Sequence, residues 1–209
     1  IPYTMLLSSV GSKTGADAAV TAGNLAVAFA QAGYKVVLVD ALVDNPVLTT
    51  MFKAEKKEGL ADLLVTQSAE LPLLSVDQVP GIRLLPAGLS SEKSSHAQLN
   101  PAKVATLLER LQNEADVVLI GSSGLSRSAE SLTLASQVNT TVLTARYAEA
   151  HASVVQKVVE SLHAMNARIA GVIFDANPSS SRFKESRGTR SEVSNVRAQP
   201  TVSEQTSKS

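Results

Sequence analysis

Between Tyr3 and Asp175 the sequence switches repeatedly between short aliphatic runs and longer stretches of helical period. The runs Tyr3–Ser9, Lys35–Asp40, Ile82–Pro86, Val117–Gly121, Thr140–Arg146 and Arg168–Asp175 read as strands. Several are apolar without alternation, as strands covered on both faces must be. Between them Ala18–Ala32, Pro46–Phe52, Gly59–Val65, Pro101–Glu114, Ser128–Gln137 and Ala148–Asn166 read as helices. In the last of these, Val154, Val155, Val158, Val159 and Leu162 trace one apolar stripe. Gly33 follows the first helix where a C-terminal cap belongs. Strand and helix in strict alternation imply right-handed βαβ units, hence a doubly wound, mostly parallel α/β sheet. In such sheets ligands bind beyond the carboxyl ends of the strands, so the loops there carry the function.

The alternation stops near residue 177, which divides the chain into a domain, 1–177, and a tail, 178–209. The tail is rich in Ser, Thr, Arg and Gln, and its apolar residues Phe183, Val193, Val196 and Val202 fit no period. Such a stretch buries too little apolar surface to offset its ordering entropy, so it is expected to be disordered. Lysine plus arginine (19) balance aspartate plus glutamate (19), but the tail carries +3 and the rest −3. The absence of a basic excess argues against a dedicated nucleic-acid binder. The tail's mild positive charge suits an anionic lipid or a protein partner, or is that of a solvated terminus without a role. Hydrophobic residues make up 44% and aromatics 3%, so the core must be aliphatic and alanine-rich. With no cysteine, disulfides, thiolate metal sites and cysteine nucleophiles are excluded. No apolar run approaches the roughly 18 residues of a membrane-spanning helix.

The loop after the first strand reads Val10-Gly11-Ser12-Lys13-Thr14-Gly15-Ala16-Asp17-Ala18-Ala19. It leads into Asn24-Leu25-Ala26 and, one strand later, Val39-Asp40-Ala41. Asn45-Pro46 with Phe52, Gly59-Leu60-Ala61-Asp62-Leu63-Leu64, Leu85-Pro86-Ala87-Gly88, Ala145-Arg146-Tyr147 and Gly171-Val172-Ile173-Phe174-Asp175 follow in order. This ordered set resembles the MinD/ParA branch of P-loop ATPases. Most closely it resembles the bacterial tyrosine-kinase domains of capsule and exopolysaccharide assembly, over residues 3–176. The resemblance implies a P-loop NTPase fold and ATP with Mg²⁺ as cofactors. It implies a membrane-anchored polysaccharide co-polymerase region, or like domains, as partners, with homo-oligomers possible. It also places the domain in the cytoplasm at the inner face of the membrane, held by a region preceding Ile1, since the chain starts without methionine. The nucleotide-binding positions it assigns are Gly11, Lys13, Thr14, Gly15, Asp17, Ala18, Ala19, Arg146 and Asp175, with Asp40 as the first Walker A′ aspartate.

The departures from that family bear on chemistry. A P-loop cradles phosphates with backbone N–H groups, neutralises them with a lysine and holds Mg²⁺ through a hydroxyl. Aligned through Asn24, the lysine position is Ala18 and the hydroxyl position is Ala19. The preceding glycine is Asp17, whose carboxylate is expected to point toward a phosphate and repel it. Lys13 falls where MinD-type loops carry a second, signature lysine, but reads first as a solvated loop residue. The second Walker A′ position is Leu42, and Asp40 itself has two readings, an organiser of Mg²⁺ or a strand-end carboxylate capping the next turn. Gly121 stands where relatives place the metal-binding aspartate of Walker B. Asp175 replaces an asparagine that reads adenine, and a carboxylate lacks the amide's donor.

The tyrosines are Tyr3, Tyr34 and Tyr147, so the tail lacks the tyrosine cluster that such kinases phosphorylate. The expectation is a domain that keeps the fold and has lost ATP-dependent catalysis, with no metal site and no assigned cofactor. ATP and Mg²⁺ apply only if the site still functions. His96, His151 and His163 show no ligand spacing, and Ser122, Ser123 and Ser126 lack a Gly-x-Ser-x-Gly elbow. Two functional classes remain. One is a regulatory or interaction module in exopolysaccharide or capsule chain-length control and export. The other is an active ATP-binding protein-tyrosine kinase or MinD/ParA-like ATPase of the same pathway. A Rossmann-type ligand domain ranks below both, because no Gly-x-Gly-x-x-Gly is present.

Overall fold

A computed structural model describes residues 2–12, 14–66, 68, 70–89, 101–126, 128–147 and 149–175. The tail 178–209, its boundary at 177, Lys13 and His96 lie outside these residues. Strands β1 (Tyr3–Val10), β2 (Val36–Asp40), β3 (Leu74–Ser75), β4 (Ile82–Leu85), β5 (Val117–Ser122), β6 (Thr140–Arg146) and β7 (Ile169–Asp175) form one sheet in the order β3-β4-β2-β5-β1-β6-β7. All ladders are parallel except β3 with β4. Helices α1 (Ala16–Gln31), α2 (Val47–Met51), α3 (Leu60–Thr66), α4 (Pro101–Gln112), α5 (Ala129–Gln137) and α6 (Ala152–Ala164) connect them.

Two apolar layers sandwich the sheet. Ala18, Ala19, Ala22 and Ala26 of α1 pack with Leu7, Leu38, Leu48 and Leu119 on one face. Leu60, Leu107, Leu111, Leu134, Val158 and Leu162 from α3 to α6 pack with Leu6, Val39, Ile120 and Leu143 on the other. Small side chains on α1 let its backbone lie close to the sheet, which sets the position of the loop at its N-terminus. The doubly wound, mostly parallel architecture expected from the sequence is the architecture observed.

Helix α1 ends in a Schellman motif. The Gly33 N–H donates to Ala30 O (2.9 Å) and the Tyr34 N–H to Phe29 O (3.1 Å). Gly33 sits at φ +92°, and the rings of Phe29 and Tyr34 meet edge to face at 5.9 Å. Two differences from the sequence reading have local causes. The short β3 was not anticipated, because two residues carry no readable period. The last helix starts at Ala152 rather than Ala148, since the Glu149 and Ala150 N–H groups turn back onto Arg146 O and His151 is extended at φ −78°, ψ 138°. Among the described residues no helix is long and apolar enough to cross a membrane.

Candidate functional site

The register brings three loops together at the carboxyl edge. Gly121 on β5 pairs with Asp40 on β2 and with Leu7 on β1. The loops after β1, β2 and β5 therefore meet around the start of α1.

The loop 11–15 begins and ends with glycines at positive φ, Gly11 at +87° and Gly15 at +71°. Both also sit at close approaches. A Cβ on Gly11 would stand 2.1 Å from Glu149 O, and one on Gly15 would stand 2.8 Å from Leu42 Cδ2 and 3.0 Å from Ser122 O. Inside the loop the buried Ser12 turns its hydroxyl inward. Its Oγ accepts from the Thr14 N–H (3.4 Å) and the Gly15 N–H (3.3 Å), and Thr14 Oγ1 accepts from the Ala16 N–H (3.4 Å). These bonds occupy backbone N–H groups at the start of α1, a kind of donor that anions bind at helix N-termini.

Asp17 corrects an expectation. Its carboxylate is turned onto β6, where Oδ2 accepts from Thr144 Oγ1 at 2.6 Å. Its Oδ1 is buried without a hydrogen-bond partner, as is Ser9 Oγ, on the strand position that pairs with Thr144. Ala18 and Ala19 are fully buried in the α1 layer. A Cβ on Gly121 would meet Ala19 Cα at 3.1 Å and Leu48 Cδ1 at 3.3 Å. Positions 19, 48 and 121 thus form one apolar contact zone, closed to solvent, between α1, α2 and β5, and the buried Leu42 of the same core layer lies against Gly15.

Asp40 is fully buried beside this zone. Its Oδ1 accepts from the Leu42 N–H (3.2 Å) and its Oδ2 from the Thr49 N–H (2.7 Å). Thr49 Oγ1 in turn accepts from the Ala87 N–H at 2.8 Å, tying β2 and α2 to the loop after β4. Burial pushes the Asp40 carboxyl above its ordinary value, and the Thr49 and Leu42 hydrogen bonds pull partly the other way. The capping reading of Asp40 accounts for both of its oxygens.

Arg146 and Asp175, assigned separately from the sequence, are brought together. Arg146 Nε lies 3.8 Å from Asp175 Oδ2, and Arg146 Nη1 lies 3.6 Å from Glu149 Oε1. The Tyr147 N–H also donates to Asp175 O (2.9 Å). Thr14 is exposed. Sequence reasoning missed Ser12, Thr49, Thr144 and Glu149. A signal existed only for Ser12, since serine side chains in turns accept from N–H groups two and three residues on. Among the described residues no group of three or more His, Cys, Asp or Glu could hold a metal ion.

Residues 4–169 match the family of the cellulose biosynthesis protein BcsQ. The chain belongs to the BcsQ family. Among its relatives, EpsB of Ralstonia nicotianae, which carries a tyrosine-protein kinase name, is 26% identical over 179 residues, 85% of this chain and 24% of EpsB. The succinoglycan biosynthesis transport protein ExoP of Rhizobium meliloti is 25% identical over 158 residues, 75% of this chain and 20% of ExoP. The tyrosine-protein kinase CpsD of Streptococcus agalactiae is 24% identical over 171 residues, 81% of this chain and 74% of CpsD. The chain spans about a quarter of the length of EpsB.

Solved structures agree on the fold of this BcsQ-family chain. The VpsO kinase domain superposes with TM-score 0.74 at 23% identity, covering 84% of this chain and 85% of that one. MinD with Mg-ADP from Pyrococcus horikoshii OT3 superposes with TM-score 0.66 at 22% identity, covering 85% and 76%. The chain therefore has the fold of bacterial tyrosine-kinase domains and MinD-type P-loop proteins.

Proposed function

We propose that this domain serves exopolysaccharide or capsule assembly as a regulatory or interaction module, and that its P-loop site does not carry out phosphoryl transfer. The role follows from the family and from relatives named for succinoglycan transport and for tyrosine kinases. The observation that supports the second half is the packing of Ala19, Leu48 and Gly121 against one another. A metal–phosphate centre at this place needs a lysine, a hydroxyl and a carboxylate, and the side chains present offer methyl groups and a hydrogen. The donor set does not fit ATP with Mg²⁺. Phosphoryl transfer depends almost wholly on positioned charge, so the loss of these groups together removes the means of catalysis. The partner in this reading is a membrane-anchored co-polymerase region, which places the domain at the inner face of the membrane.

The alternative is an active ATP-dependent kinase or ATPase. It is favoured by Asp40 at the end of β2 and by the two positive-φ glycines of the loop. Titration of the full chain with Mg-ATP separates the two readings. A ligand present at 100 times its Kd stabilises a fold by about 2.7 kcal/mol. In a domain of this size that raises Tm by roughly 5–10 °C. The module reading expects no shift at millimolar ATP and no phosphate release. Mg-dependent hydrolysis that disappears in Asp40→Asn would establish the alternative.

A further inference from the structure

Beneath the loop 11–15 two buried oxygens lack partners. Ser9 is fully buried and its Oγ makes no hydrogen bond, and Asp17 Oδ1 makes none and is sealed from solvent. Register puts both in one neighbourhood. Ser9 lies two residues after Leu7, whose side chain belongs to the α1 core layer, so it faces α1 as well. It pairs with Thr144 of the neighbouring strand β6, and Thr144 Oγ1 donates to the other oxygen of Asp17 at 2.6 Å. Paired strands run about 4.8 Å apart, so Ser9, Thr144 and Asp17 line one small space between β1, β6 and the first turn of α1. Thr144 gives its single proton to Asp17 and keeps lone pairs to spare. Around Ser9 the lining is again oxygen. The three atoms nearest to where a Cβ on Gly124 would stand are Ser9 O (3.3 Å), Ser9 Oγ (3.4 Å) and Ser12 O (3.5 Å), and glycine leaves that place open.

We propose that this space holds one monovalent cation, sodium or potassium, with Asp17 Oδ1 and Ser9 Oγ as protein ligands and Thr144 fixing the carboxylate. A carboxylate oxygen out of reach of water needs a donor or a cation. Among the described residues no Lys, Arg or His forms an ion pair with Asp17, and the N–H groups at the start of α1 do not bond Oδ1. Carboxylate and hydroxyl oxygens are ligands for hard cations. The charge follows from the count of acids. One carboxylate offsets one positive charge, whereas a divalent ion would stay half neutralised away from water. Nor do the described residues gather the three acidic or imidazole groups of a divalent site. The ion ties the end of β1 to the first turn of α1, which are the two ends of the loop 11–15. The inference stands whether or not the nucleotide site is active.

Thermal unfolding of the full chain, without nucleotide, reads the site. Tetramethylammonium nitrate keeps the ionic strength constant with a cation too large for a space closed to solvent. Replacing it by sodium or potassium nitrate should raise Tm by roughly 3–6 °C at ten times the dissociation constant. The salt with the larger shift identifies the ion that the site prefers. Asp17→Asn removes the charge and keeps the shape, and should abolish the difference between salts. Ser9→Ala should weaken the cation's binding about threefold or more. Equilibrium dialysis with thallium(I) nitrate, a potassium mimic, needs no variant and should find one ion per wild-type chain, displaced by excess potassium or sodium. Equal Tm in all three salts, or no bound thallium, assigns the space to a water molecule and overturns the proposal. So does a cation shift that survives unchanged in either variant.

Discussion

At the scale of single residues, Asp40 and Gly121 show how packing sets where a buried charge can be held. Asp40 holds two backbone N–H groups from 0% exposure, and removing it leaves buried donors unmatched. Asp40→Ala should therefore cost about 2–4 kcal/mol in urea unfolding. Its pH dependence has a definite sign. The folded pKa is raised above 3.8, so between that value and the folded pKa the native state binds more protons than the unfolded chain. The stabilising contribution is complete below 3.8 and is lost as pH rises through the folded pKa. Wild type should thus lose stability relative to Asp40→Asn as pH is raised from acid toward neutral. A difference that stays flat or grows in the other direction would contradict this. Gly121→Asp should be worse, by about 3 kcal/mol or more, because it places an unpaired carboxylate opposite Asp40 and against Ala19 and Leu48. Unfolding midpoints of the two variants decide the order. Gly11→Ala meets both a positive φ and the Glu149 carbonyl, so it too should lower the midpoint, by more than about 1 kcal/mol.

At the scale of elements, the sequence was most legible where a period or a cap repeats a physical rule. The six long strands and the Gly33 cap lay in plain view because apolar runs and αL glycines have few alternative uses. At Gly33 no atom lies within 4 Å of a Cβ, so Gly33→Ala should cost only the backbone term, about 1 kcal/mol, read from thermal unfolding. Two motif matches also prove to be structural. The N–H groups of Leu60 and Ala61 that open α3 donate to Pro86 O (2.8 Å) and Ala87 O (2.9 Å), and Asp62 Oδ2 accepts from Gly59 and Leu89. The Gly-Leu-x-Asp and Leu-Pro-x-Gly segments thus cap one another. The site was legible as a set of loops but not as contacts. The Asp17–Thr144 bond spans 127 residues, and the Arg146–Asp175 pair depends on parallel register. No local spacing encodes either.

At the scale of the whole molecule, the α1 core layer extends to the carboxyl edge, where Ala19, Leu48 and Gly121 meet. A triple variant, Ala18→Lys with Ala19→Thr and Gly121→Asp, restores the list of groups a P-loop uses but inserts them into the α1 layer. It should unfold at a lower denaturant concentration than wild type and still release no phosphate from ATP. Recovery of hydrolysis would mean that the surrounding fold has kept the transition-state geometry.

Ser12 adds a consequence for any anion approaching this edge. Its hydroxyl is tethered two and three residues from the N–H groups it occupies. It therefore competes as an intramolecular ligand and loses no translational freedom on binding. A free phosphate must first evict it, and must do so at whatever effective concentration that short tether sustains. The Ser12→Gly chain should consequently bind inorganic phosphate more tightly than wild type, even if neither binds a nucleotide. The loop is then a cradle kept closed by its own occupant.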